Sequence, residues 1–185
     1  MWHLFVKTRL GYVERSSCAP TTLQGVILRA VKSTDYKSIR EQFRRTLFNE
    51  ILLERAWQME FYKALYLSTP NNCITSADVG DVFESRGVID LTLYYGDLFW
   101  GIELLREGDR LDEHIRRFAL DGPYSRLQLT DYCLLDFQRV PRAAQIAITT
   151  GSENPFIVSY DEGLHNVSMS HGEESWIIRL AASSD

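Results

Sequence analysis

Gly87-Val88-Ile89-Asp90-Leu91-Thr92-Leu93 and, after a turn at Gly96-Asp97, Trp100-Gly101-Ile102-Glu103-Leu104-Leu105-Arg106 decide how this chain is read. Each run is short, apolar and bounded by turn residues, the mark of a core strand. One acid interrupts each. A carboxylate inside a core strand is costly unless it is paired or bound to a metal. Side chains alternate between faces along a strand, so Asp90, Thr92 and Tyr94 share one face of the first strand and Glu103 and Leu105 share one face of the second. Antiparallel pairing through the turn then puts Asp90 and Glu103 on the same side of the sheet. Two carboxylates and a nearby backbone carbonyl suit Mg²⁺ (or Mn²⁺), a hard cation that keeps several waters. Such an ion polarises a phosphodiester and helps generate hydroxide. The alternative is that the two acids face water at strand ends or pair with Arg106 and Arg110.

Outward from these strands, residues 110–119 read as a helix that Gly122-Pro123 stops, with Asp109 as its N-cap and Asp112 reaching back. Leu111, Ile115 and Phe118 form its apolar face; Arg110, His114 and Arg117 recur at the same spacing on another. Turned toward the acids, that second face supplies phosphate-binding or charge-stabilising groups. Turned outward, it is a solvated basic face balancing Asp112 and Glu113. Tyr132–Phe137 reads as a buried strand. β-like runs near 145–149, 156–160, 165–169 and 175–180 complete a β-rich tail.

On the amino-terminal side, Ile74–Phe83 supplies a first strand. Tyr36–Leu67 is helical, without Gly or Pro, and Asn49 caps its second helix. Residues 22–33 fit either a short helix or a strand. In the second helix Glu54 and Gln58 lie one turn apart, and Glu60 sits between Ala56 and Ala64. An acid on an apolar helical face is a third metal ligand or a buried group satisfied by Arg or backbone donors.

The 185 residues fit one domain, and 45% hydrophobic with 24% charged residues excludes a disordered chain. The net charge of -5 argues against a uniformly basic nucleic-acid surface, yet it is unevenly spread. Residues 1–45 hold nine Lys/Arg against three acids, +6, which leaves -11 for the remainder. A basic amino-terminal third can meet a polyanion while the acidic remainder holds a metal. Cys18, Cys73 and Cys133 form neither a disulfide framework nor a zinc site, and a reducing, intracellular setting is the expectation. No signal peptide or membrane-length apolar run is visible. Neither a phosphate loop, a dinucleotide fingerprint, a serine-hydrolase elbow nor a zincin motif occurs.

Three blocks of this sequence resemble the nuclease-type carboxy-terminal domain of Crinkler effectors of oomycetes and some fungi. They are Glu54-Arg55-Ala56-Trp57-Gln58-Met59-Glu60-Phe61-Tyr62, Gly87-Val88-Ile89-Asp90-Leu91, and Trp100 through Leu111 with His114, Arg117 and Phe118. Trp100–Leu111 is the specific block; together the three cover about a third of the chain, in order. The resemblance implies an α/β (α+β) fold with a restriction-endonuclease-like core of the PD-(D/E)xK superfamily. That core is a helix, an antiparallel meander, a crossover helix and a parallel strand, here spanning residues 49–140. A basic helical region (1–48) precedes it and a β-rich extension (141–185) follows, in one domain.

It further implies a metal-dependent nuclease acting on DNA or RNA, with Asp90 as the metal-binding aspartate and Glu103 as the acid of (D/E)xK. Glu54 or Glu60, with Gln58, answers to the polar residues of the first core helix. Leu105 departs from the pattern: the superfamily places Lys there, where it orients the attacking water. Arg106 points to the opposite face of a regular strand, so Arg110 or His114 from the crossover helix, or Lys63 from the first, would have to substitute. Without a substitute, the chain is a nuclease-derived module that binds nucleic acid or a host protein without cutting. Delivery to a host nucleus is implied by the resemblance alone.

Overall fold

The computed structural model of the chain describes residues 14–45, 50–79, 87–140 and 155–178. The described residues begin with three helices: α1 (Leu23–Ser33), α2 (Tyr36–Arg45) and α3 (Glu50–Leu67). The ambiguous stretch 22–33 is therefore a helix, and its start is set by the Thr22 hydroxyl, which accepts from the Gly25 N–H at 3.1 Å. The expected cap Asn49 and the predicted strand near 145–149 lie outside the described residues.

A meander follows, β1 (Ile74–Val79), β2 (Ile89–Tyr95) and β3 (Leu98–Arg106), each pair antiparallel. Helix α4 (Leu111–Arg117) and a 3₁₀ turn (Ser125–Leu127) then lead to β4 (Asp131–Arg139), parallel to β3. The order of helix, antiparallel meander, crossover helix and parallel strand is thus present. Strands β5 (Phe156–Tyr160), β6 (Val167–His171) and β7 (Glu174–Ile178) extend the same sheet beyond β4, which gives seven strands in chain order among the described residues. The β-rich tail is therefore continuous with the meander's sheet. The molecule is an α+β fold.

One face of the sheet carries the main core. Leu91, Leu93, Trp100, Ile102, Leu135 and Phe137 meet Phe61 and Leu65 of α3 and Val26 and Ile27 of α1. Trp57 anchors it: its ring stacks on Phe137 at 4.4 Å and lies 5.0 Å from Tyr160, with Tyr36 and Phe43 edge-on. That side chain ties α2, α3, β4 and β5 together. A smaller cluster on the opposite face holds Ile89, Tyr124 and Leu127, with Phe99, Phe118 and Leu129 against it. Among the described residues no helix is long and apolar enough to cross a membrane.

Candidate functional site

Asp90 sits where β2 changes face. Strict alternation would place Ile89 and Leu91 together, yet Ile89 belongs to the smaller cluster and Leu91 to the main core. The ladder with β3 is regular up to Leu91↔Ile102. Beyond it, the Leu104 N–H donates to Asp90 Oδ2 at 2.8 Å, so this carboxylate serves a strand amide. Asp90 also lines a small cavity with Trp57 and Gln58 of α3 and with Leu104, Leu105 and Arg106 of β3. Its volume, about 10 Å³, is near the least that holds one water.

Glu103 has different neighbours. Its carboxylate is 1% exposed and is enclosed by α4 and the loop after it. Arg117 Nη1 donates to Oε1 at 2.5 Å, His114 Nδ1 lies 2.9 Å from the same oxygen, and the Tyr124 hydroxyl is 3.0 Å from Oε2. That hydroxyl is also 2.8 Å from the Val88 carbonyl, so its single proton is shared between the approach to β2 and the acid of β3. Arg117 reaches Glu113 through Nη2 at 2.9 Å. Burial disfavours the guanidinium's charge, but the bonds to Glu113 and Tyr124 and the charge of Glu103 outweigh it and raise the Arg117 pKa. Burial, then the Glu103 charge, raises that of Tyr124. Arg117 holds the Glu113 carboxyl below its ordinary value.

The predicted site residues therefore divide. Gln58, Asp90 and Arg106 meet at the cavity on the α3 side; Glu103, His114 and Arg117 meet on the α4 side. The expectation that Asp90 and Glu103 point from one face of regular strands fails at the turn-over of β2. Glu60 belongs to neither group: it is buried, accepts from Lys63 Nζ at 2.8 Å and from the Ser38 hydroxyl at 3.0 Å, and so joins α3 to α2. Arg110 lies outside with Asp109, 3.2 Å away. Glu54 lies on α3, its side chain outside the described part. Leu105, two residues after Glu103, is 4% exposed.

Helix α4 corrects two further expectations. Its N-cap is Arg110, in the left-handed region with φ 51°, and no side chain caps it; Asp109 is bonded to Arg110 instead. Its buried residue is His114, whereas Leu111 and Ile115 are half-buried. Of the polar face, His114 and Arg117 turn inward to Glu103 while Arg110 stays outside; of the apolar face, Phe118 packs on the smaller cluster. Tyr124 is the site residue that sequence reasoning missed. It follows Gly122-Pro123, read as a helix stop, and no spacing linked it to Glu103.

For a dication the described residues fit poorly. The Glu103 oxygen that would ligate it already takes Arg117 and His114, and no group of three or more His, Cys, Asp or Glu able to hold a metal occurs among the described residues. No family model, curated protein or solved structure matches the chain.

Proposed function

We propose that this chain is a nuclease-derived module that binds nucleic acid, DNA or RNA, without hydrolysing it. The observation that carries the reading is Leu105. The position two after Glu103, from which a lysine would steer water and offset developing charge, holds a buried hydrocarbon. The succession of helix, meander, crossover helix and parallel strand supports a nuclease-like ancestry, as do the three sequence blocks that resemble the Crinkler domain. The uneven charge supports a polyanionic ligand. Residues 14–45 alone carry seven Lys/Arg against three acids, and Lys32 and Lys37 are exposed. Arg110, 62% exposed at its side chain, offers a further contact.

A metal-dependent phosphodiesterase, with Mg²⁺ or Mn²⁺, is the second reading. One observation favours it: Arg106 shares the Asp90 cavity with Gln58, so a cation other than lysine stands near that acid. Two assays on the same preparation decide. Binding to single-stranded and duplex oligonucleotides is expected to weaken steeply with salt, because phosphate contacts release counterions. Plasmid, single-stranded DNA and RNA are expected to survive incubation with Mg²⁺ or Mn²⁺. Cleavage that Asp90→Ala abolishes would establish the second reading, and salt-insensitive or absent binding would point to a protein partner.

A further inference from the structure

We infer that the Arg117 guanidinium stands in for a divalent cation at Glu103, so that the chain takes up no dication there while Arg117 is in place. This rests on the nuclease-derived reading for the expectation of a metal, but not on nucleic-acid binding. A carboxylate 1% exposed needs compensating charge and hydrogen bonds. Here both come from the protein. Arg117 and His114 converge on Oε1, and Tyr124 covers both oxygens at 3.1 and 3.0 Å. Mg²⁺ sits about 2.0–2.1 Å from its oxygen ligands, so it would have to displace these donors and then lie against a guanidinium of like charge. Arg117 is itself restrained: it is 25% exposed at its side chain, with Nη2 on Glu113. The other acid gives little help, since Asp90 Oδ2 is already taken by the Leu104 amide.

The test is Mn²⁺ binding to the intact chain, read by electron paramagnetic resonance, with circular dichroism to confirm folding. The unaltered chain and Arg117→Lys, which keeps the charge, are expected to show no saturable site. Arg117→Met is expected to gain one saturable Mn²⁺ site, and Arg117→Met/Glu103→Gln to lose it again. Should the methionine variant unfold, Arg117→Gln drops the charge while keeping a hydrogen-bonding amide and carries the same expectation. A saturable site in the unaltered chain that Glu103→Gln removes would overturn the inference. So would a folded Arg117→Met or Arg117→Gln without any gain, or a gain in Arg117→Lys. Oligonucleotide binding by the unaltered chain is scored separately, so failure of the metal result and failure of the binding reading are told apart.

Discussion

At the scale of single residues, the behaviour of Glu103 follows from what encloses it. A buried carboxylate left without partners is expensive, and Arg117, His114 and Tyr124 remove that cost together. Tyr124→Phe deletes one hydroxyl and keeps the ring that packs on Phe118. It is expected to cost about 1.5–3 kcal/mol, the loss of one hydrogen bond to a buried charged group, measured by urea unfolding. An unchanged midpoint would show that the Val88 and Glu103 contacts do not hold the site. Asp161 gives a pH signature elsewhere. Burial raises its pKa, but the amides of His165 and Asn166 and the Asn166 side chain lower it by more, so the net shift is downward. The folded pKa lies below the unfolded one, roughly 3.9. The stabilisation is therefore complete above that value and is lost as pH falls through the folded pKa. Stability against pH is expected to decline less on the acid side in Asp161→Ala than in the parent.

At the scale of elements, the sequence made most of the sheet legible. Both apolar runs are strands within a residue or two, their turn is at Gly96-Asp97, and α4 crosses to a parallel strand. What periodicity could not convey was local irregularity. Glu107, Gly108 and Arg110 all have positive φ, so the chain leaves β3 through a tight left-handed path, and the expected Asp109 cap is never formed. The Gly108 N–H is instead bonded to the buried Asp136 of β4 at 3.1 Å. The reversal of β2 at Asp90 was equally invisible, because alternation rules presume a regular strand. Gly101 shows how closely β3 is covered: an added Cβ would lie 2.6 Å from Ile89 Cδ1 and 2.7 Å from Leu129 Cδ1. Both neighbours are side chains, so Gly101→Ala is expected to fold with a loss of about 1–3 kcal/mol from overpacking, visible as a lower thermal midpoint. A neutral outcome would mean that the two side chains move aside freely.

At the scale of the whole molecule, a basic amino-terminal region and an acidic remainder share one sheet-based body. Some of the basic region's charge is spent on the fold. Arg15 donates to the carbonyls of Tyr66, Thr69 and Cys73 at the end of α3, and Arg40 to that of Leu164. Sequence counting alone could not separate these structural cations from the exposed ones such as Lys32 and Lys37. Of the candidate residues, the sequence singled out Asp90, Glu103, His114 and Arg117 but neither their grouping nor Tyr124. Asp90 with Gln58 and Arg106, and Glu103 with His114 and Arg117, lie in two neighbourhoods because β2 turns over and α4 turns His114 and Arg117 inward. The most direct measurement is a high-resolution crystal structure grown in Mn²⁺, with an anomalous difference map calculated around Glu103. Arg117 is expected within hydrogen-bonding distance of Glu103, with no anomalous peak there. A manganese ion joining Asp90 and Glu103, with Arg117 swung away, would contradict it.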